Sequence, residues 1–177
     1  MGQLLTLLWD ICRLRRGPQD LPYSPQLLLV VCALFLVLQL AVSRILDAEQ
    51  DSLGAGVLSL AFTLGVLYLL LNLRKQSARF VQTALAIISC LIIFSVLLVS
   101  ITLMIGTAPK SPAQVTPFQF LLATAALLVL AWKLIVDGHI LRHSLNVPFL
   151  FGVAIAVLWF IAEMALGSIL GAAPAAA

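Results

Sequence analysis

Five long stretches of the chain are almost continuously apolar, and short polar or proline-containing segments separate them. About 20 apolar residues in a helix cross a hydrocarbon core of about 30 Å, and each stretch is of that order. The pattern predicts an all-α, polytopic membrane protein in which residues 26–171 form a bundle of five transmembrane helices. The predicted spans are residues 26–43, 53–73, 80–106, 118–136 and 148–170, and a short alanine-rich tail follows at 172–177.

A different pattern precedes the first span. Polar residues recur at spacings of three and four between Gln3 and Arg16, while leucines and Trp9 fill much of the remaining surface. A helix with separate polar and apolar sides is typical of the headgroup boundary, so residues 1–17 are predicted to form an amphipathic interfacial helix. The alternative is a soluble helix packed on the cytoplasmic ends of the bundle. Prolines make residues 18–25 a stiff connector.

The composition indicates lipid as the main partner. The chain of 177 residues is 63% hydrophobic and 10% charged, whereas an average soluble domain is about 45–50% apolar and about 25% charged. Water cannot solvate such a surface, so the lipid bilayer is the expected partner. Nucleic acid is not expected as a partner, because no basic run is interleaved with aromatic residues.

The basic residues are divided unevenly between the two sides of the predicted bundle. If the N-terminus is cytoplasmic, only Arg44 and Lys110 fall on the outer side. Lysine and arginine favour the cytoplasmic side, so we expect the N-terminus in the cytoplasm and the C-terminus outside. Compactness and the lack of eukaryotic sorting features favour a bacterial inner (plasma) membrane. The eight basic residues on the inner side are Arg13, Arg15, Arg16, Arg74, Lys75, Arg79, Lys133 and Arg142.

In its five spans, with the N-terminus inside and the C-terminus outside, the chain is similar to the Yip family of five-span trafficking proteins. This likeness is one of layout, and it implies no role for any particular residue. The sequence contains no clear internal repeat of the kind that marks many transporters.

Glu163 is the most informative residue, because a carboxyl group inside a span is costly unless it has a polar partner or a function. Counting from the span centres at about 1.5 Å per residue places polar side chains of the other spans near its depth. Protonated, Glu163 would donate a hydrogen bond to Gln39 and join two helices. Ionised, it would act as a proton or ion site, and a third possibility is contact with another protein's span. The candidate intramembrane polar layer consists of Glu163, Gln39, Ser59, Thr63, Ser95, Ser100 and Thr124.

Two further groups of polar residues are expected to have structural roles. The same count puts Lys133 near the inner end of the fourth span, on the order of 14 Å in depth from the glutamate of the last span. We therefore expect its ammonium group to extend to the headgroups. Residues 137–143 are predicted to form the inner loop before the last span. His139 and His143 stand four apart, as some zinc ligands do, but Gly138 and the lack of a nearby glutamate favour a polar turn over a metal site.

Small residues spaced four apart indicate where helices can approach each other closely. Packing within the bundle is the expected role of such pairs, and the glycine pair near the end of the chain could also meet a partner protein. The three candidate helix-packing pairs are Gly167 with Gly171, Ala61 with Gly65, and Gly152 with Ala156.

No set of side chains in the sequence suits catalysis. The acidic and histidine residues are not paired at a common depth, and the three cysteines have neither metal-ligand nor redox spacing. We therefore expect no enzyme activity, no cofactor and no metal. The expected function is that of a non-enzymatic accessory or scaffold subunit that acts through helix–helix contacts with other membrane proteins or with a second copy. The alternative is a small oligomeric channel or transporter in which Glu163 is the intramembrane proton or ion site.

Overall fold

The computed structural model describes residues 2–45, 52–106 and 116–172, and over these ranges the chain is helical with no β-strand. Within these described ranges, five helices are long and apolar enough to cross a membrane, as the sequence predicted, and a shorter helix precedes them. Beyond Ala172, the predicted tail lies outside the described residues. The helices are α1 (Gly2–Cys12), α2 (Pro25–Ile45), α3 (Ser52–Leu73), α4 (Phe80–Ile105), α5 (Pro117–Leu145) and α6 (Phe149–Ala172).

Helix α4 is the element on which the other helices assemble. It packs against α1, α2, α3 and α5. Every residue from 83 to 90 is buried, and so is Phe94 one turn later. Two of these residues, Ala84 and Ala86, are small, and small residues let neighbouring helices approach closely in a membrane protein. A helix buried on all sides requires neighbours all round, so the first half of α4 forms the core of the bundle.

Helices α5 and α6 make their closest approach at two glycines. A methyl group on Gly138 would lie 2.6 Å from Cγ2 and 2.8 Å from Cα of Val153. A methyl group on Gly152 would collide with the carbonyl oxygen of Gly138. Gly138 lies within α5, which continues to Leu145, so the prediction that residues 137–143 form a loop was wrong. The glycine does not interrupt the helix; it lets the two backbones touch.

Three helices terminate in the same way at one end of the bundle. Each of α1, α3 and α5 is followed by a residue with a left-handed backbone, namely Leu14 (φ 61°), Lys75 (φ 56°) and Asn146 (φ 53°). In each case the next N–H donates to a carbonyl five residues earlier, at 2.8–3.2 Å. This Schellman arrangement satisfies carbonyls that the end of a helix leaves free. It also stops α1 at Cys12, short of the predicted residue 17.

We call this end of the bundle the basic end, because most of the cationic side chains lie there. Two of its arginines hold the end of α5. Nε of Arg74 donates to the carbonyl oxygen of Leu145 at 3.3 Å, and Nη1 of Arg79 donates to that of His143 at 3.0 Å. Carbonyls at a helix C-terminus carry partial negative charge, so these cations stabilise α5. The basic end carries Arg13, Arg15, Arg16, Arg74, Lys75, Arg79 and Arg142.

Helix α1 is fixed to the bundle through its last turn. Ile11 and Cys12 are buried against α4 and α5. Nε1 of Trp132 donates to the carbonyl oxygen of Cys12 at 2.9 Å, which joins α5 to the end of α1. In the earlier turns of α1, Leu5 is 69% exposed and Trp9 is 50% exposed. The helix is therefore attached at one end and keeps large apolar side chains on its surface.

Candidate functional site

Lys133 and Asp137 form an ion pair inside the bundle. Nζ of Lys133 lies 2.7 Å from Oδ2 of Asp137, and the two side chains are only 12% and 15% exposed. The prediction that Lys133 extends to the headgroups was therefore wrong. The reason is the length of α5: Lys133 is followed by twelve more helical residues, which correspond to about 18 Å. The lysine lies in the middle of a spanning helix, where the carboxylate one turn away is its nearest available counter-charge.

Glu163 joins α6 to α3. The Oγ of Ser59 donates a hydrogen bond to Oε1 of Glu163 at 2.9 Å, and the glutamate is half-buried. Glu163 lies fourteen residues, or about 21 Å, from the start of α6 at the basic end. This depth is similar to that of Lys133, so the predicted depth difference of about 14 Å was wrong. The error came from ending the fourth span at residue 136.

The ion pair and Glu163 line one cavity between the helices. Thr63 of α3 also lines it, and the cavity volume is about 20 Å³. A cavity needs about 10–15 Å³ for one water molecule, together with two to four polar partners. This cavity, which we call the polar cavity, is large enough for one water molecule, and four of the side chains around it are polar. Its polar lining consists of Thr63, Lys133, Asp137 and Glu163, and its apolar lining consists of Ile87, Leu91, Leu141, Ala156, Trp159 and Phe160.

The structure brings together only part of the predicted polar layer. Glu163 contacts Ser59 and shares the cavity with Thr63, as described above. Gln39 lies instead between α2 and α3, where its Cβ would be 3.4 Å from a methyl group on Gly56. No hydrogen bond joins it to the glutamate in the described part of the chain. Ser95 is half-buried in α4. Ser100 and Thr124 are exposed and donate to carbonyls of their own helices.

The predicted helix-packing pairs have different surroundings. Gly152 and Ala156 are buried, and Gly152 forms the close contact with α5. Ala61 and Gly65 are exposed on α3, and no atom lies within 4 Å of a methyl group on Gly65. Gly167 is equally open. The surroundings of its predicted partner Gly171 are outside the described part of the structure.

The two histidines lie on one side of α5. The ring centroids of His139 and His143 are 4.6 Å apart. Nε2 of His139 lies 3.1 Å from the carbonyl oxygen of Arg16, so this nitrogen carries the proton and donates it. Among the described residues, no group of three histidine, cysteine, aspartate or glutamate side chains is arranged to hold a metal ion.

One contact between distant residues could not be anticipated from the sequence. The Sγ atoms of Cys12 and Cys90 lie 3.6 Å apart, and both residues are buried. The hydrogen bond with Cys90 lowers the pKa of the Cys12 thiol, whereas burial and the Asp137 carboxylate raise it. The residues are 78 positions apart, and no spacing rule connects them. The contact joins α1 to the core helix α4.

Comparisons with known protein families, curated proteins and solved structures found no match for this chain. The likeness to five-span trafficking proteins remains one of predicted layout.

Proposed function

We propose that this chain is a small channel or transporter in which Glu163 is the intramembrane proton or ion site. The observation that carries the proposal is the convergence of three ionisable side chains on one cavity within the spans. Charged groups at membrane depth are costly, and they commonly mark proton or ion pathways. Because these three side chains surround one cavity, they can act on the same bound ion, which isolated charges could not do.

The charge balance of the polar cavity indicates what the site takes up. Lys133 and Asp137 neutralise each other. Glu163 has a hydrogen bond from Ser59, but it has no ion-pair partner among the described residues. Ionisable groups inside spans commonly mark proton or ion pathways, so we take this carboxylate as the group that binds the transported cation or proton. A proton or a small monovalent cation at Glu163 would make the polar cavity electrically neutral.

Flux into proteoliposomes tests this proposal. The full chain is reconstituted into vesicles that contain a pH-sensitive dye, and proton entry is followed after a potassium diffusion potential is applied. We expect flux with the wild-type protein and its loss in Glu163→Gln, which keeps the shape and removes the titratable group. Ser100→Ala is the matched control, because Ser100 is exposed and bonds only to its own helix. Sodium and potassium entry are measured in parallel vesicles that contain a dye sensitive to each ion and carry no potassium ionophore.

Two results would overturn the proposal. One is full flux of every cation in the Glu163→Gln variant. The other is wild-type flux no greater than that of empty vesicles, measured for protons, sodium and potassium alike.

The second candidate function is that of a non-enzymatic accessory or scaffold subunit. A specific observation favours it: Gly65 and Gly167 are open on the surface of spanning helices, with no atom within 4 Å of an added methyl group. Small residues let a second helix approach closely. The double variant Gly65→Leu with Gly167→Leu should lose partners that co-purify in mild detergent. Ala123→Leu, at another exposed site on α5, should retain them. Equal recovery with all variants would contradict this role.

We propose further that the basic end faces the cytoplasm, that the membrane is a bacterial inner membrane, and that the apolar side of α1 lies at the headgroup boundary. Seven basic residues at one end support this orientation. The exposed Leu5 and Trp9 support contact of α1 with lipid. Reporter fusions after Met1 and Ala177 should appear on opposite sides of the membrane.

A further inference from the structure

A second concave site lies at the basic end and is separate from the polar cavity. It is formed by the connector after α1, the last turns of α5 and the start of α6. Its volume is about 430 Å³, within the range of about 300–1,000 Å³ that is usual for small-molecule sites. We call it the basic pocket. The lining residues that bear on its chemistry are Arg15, Arg16, Asp20, His139, Arg142 and His143.

Positive charge exceeds negative charge in the basic pocket. Of its three arginines, Arg16 lies 3.5 Å from the carboxylate of Asp10. Arg15 and Arg142 form no ion pair among the described residues. The one acidic residue in the lining, Asp20, accepts a hydrogen bond from the backbone N–H of Gly17 at 3.1 Å. The three arginines therefore outnumber the carboxylates of Asp10 and Asp20 by one, and Arg15 and Arg142 form no direct ion pair with either of them.

The backbone around the pocket is held in place by contacts already described. The left-handed turn at Leu14 brings Arg15 and Arg16 back toward the bundle. The ring Nε2–H of His139 donates to the carbonyl oxygen of Arg16, which fixes the connector to α5. The ring nitrogens of His143 have no hydrogen-bond partner in the described part of the chain. These nitrogens are therefore available to a ligand, together with Arg15 and Arg142.

We infer that the basic pocket binds a phosphate group whose negative charge is not balanced by a cation in the same molecule. Arginine presents several N–H donors in a planar fork that matches phosphate oxygens, and such charge-assisted hydrogen bonds are strong. The pocket lies where α5 ends and α6 begins, which is the level at which a span meets the headgroups. Basic pockets between transmembrane helices bind lipid head groups. The phosphate group can belong to an anionic phospholipid or to a soluble phosphate compound.

Native mass spectrometry of the full chain tests this inference. Protein purified from nanodiscs with equal amounts of phosphatidylglycerol and phosphatidylcholine should retain phosphatidylglycerol in excess if the lipid is the source. Inorganic phosphate, titrated into detergent-solubilised protein and followed by the unfolding temperature, tests the soluble source. Preference in the first arm, stabilisation in the second, or both, supports a phosphate site and identifies its source.

Variants identify the residues responsible. Arg15→Gln and Arg142→Gln should each weaken binding by about tenfold, since each variant removes one charge-assisted contact with the anion. Arg13→Gln is the matched control, because Arg13 is an exposed neighbour that does not line the pocket. Equal retention of both lipids together with no effect of phosphate would overturn the inference. So would an equal loss of binding in the Arg13→Gln control.

Discussion

Replacing Gly138 with alanine tests whether the contact between α5 and α6 is as close as the geometry indicates. The added methyl group would lie 2.6 Å from Cγ2 and 2.8 Å from Cα of Val153. Carbon atoms in favourable contact are about 3.5–4.0 Å apart. The side chain of Val153 can rotate, but its Cα cannot, so the helices must separate or bend by on the order of 1 Å.

Two effects of opposite sign act in this variant. Alanine is favoured over glycine inside a helix by about 1 kcal/mol, whereas an extra methyl group in a filled contact costs about 1–3 kcal/mol. Gly65 is the matched control, because an added methyl group there meets no atom within 4 Å. The gain in helix propensity from glycine to alanine is the same in both variants. Gly138→Ala should therefore be less stable than Gly65→Ala by about 1–3 kcal/mol.

Unfolding in mixed micelles with increasing mole fraction of dodecyl sulfate, followed by tryptophan fluorescence, measures this difference. Trp159 lies on α6 and Trp132 on α5, so the signal reports both helices. Gly152→Ala should behave like Gly138→Ala, because its methyl group meets the Gly138 carbonyl. If the variants at positions 138 and 65 were equally stable, the two helices could not be in the close contact described above.

Three further predictions concern the interior. Lys133→Ala should destabilise the protein by about 3–5 kcal/mol in the same assay, because it leaves a buried carboxylate without its partner. The double variant Lys133→Met with Asp137→Leu should recover most of that loss. A mild oxidant should link Cys12 to Cys90, whose Sγ atoms are 3.6 Å apart. The lowered pKa of Cys12 favours the reaction. A shift in gel mobility that a reductant reverses would detect the disulfide. Trp132→Phe should cost about 1 kcal/mol, since the hydrogen bond to α1 is lost.

Each of these predictions has an outcome that contradicts it. A Lys133→Ala protein as stable as the wild type would mean that Asp137 is neutral or reached by water. Absence of the Cys12–Cys90 link under a membrane-permeant oxidant would contradict the contact between the two thiols. A Trp132→Phe protein with unchanged stability would mean that the Cys12 carbonyl finds another donor.

The number of spans could be predicted because a bilayer imposes one requirement on every crossing helix, and long apolar runs satisfy it locally. The end of α5 could not be predicted, because residues 137–143 are polar enough to resemble a loop. Their partners lie elsewhere in the chain: His139 bonds to the carbonyl of Arg16, 123 positions away. A local pattern contains no information about such partners, so the helix was ended too early.

The polar cavity illustrates the same limit. Glu163 was found because a carboxyl group is conspicuous in an apolar run, and Ser59 was placed at its depth by counting residues. Lys133 was excluded because its depth was measured from an incorrect helix end. The spacing of four between Lys133 and Asp137 was the available signal, since opposite charges at that spacing on a helix are neighbours.

The arginines that hold α5 have a consequence for experiments on membrane insertion. Arg74 and Arg79 add to the positive charge that guides a nascent chain to its orientation, and in the folded protein they also close the last turn of α5. Substituting them to invert the protein would therefore also remove the hydrogen bonds that stabilise the end of α5. A failure of membrane insertion in such a variant could then come from the changed charge or from the destabilised helix. Arg13 and Lys75 contribute charge at the same end and make no such bond among the described residues. Charge swaps at these two positions can weaken the insertion signal while leaving the end of α5 intact.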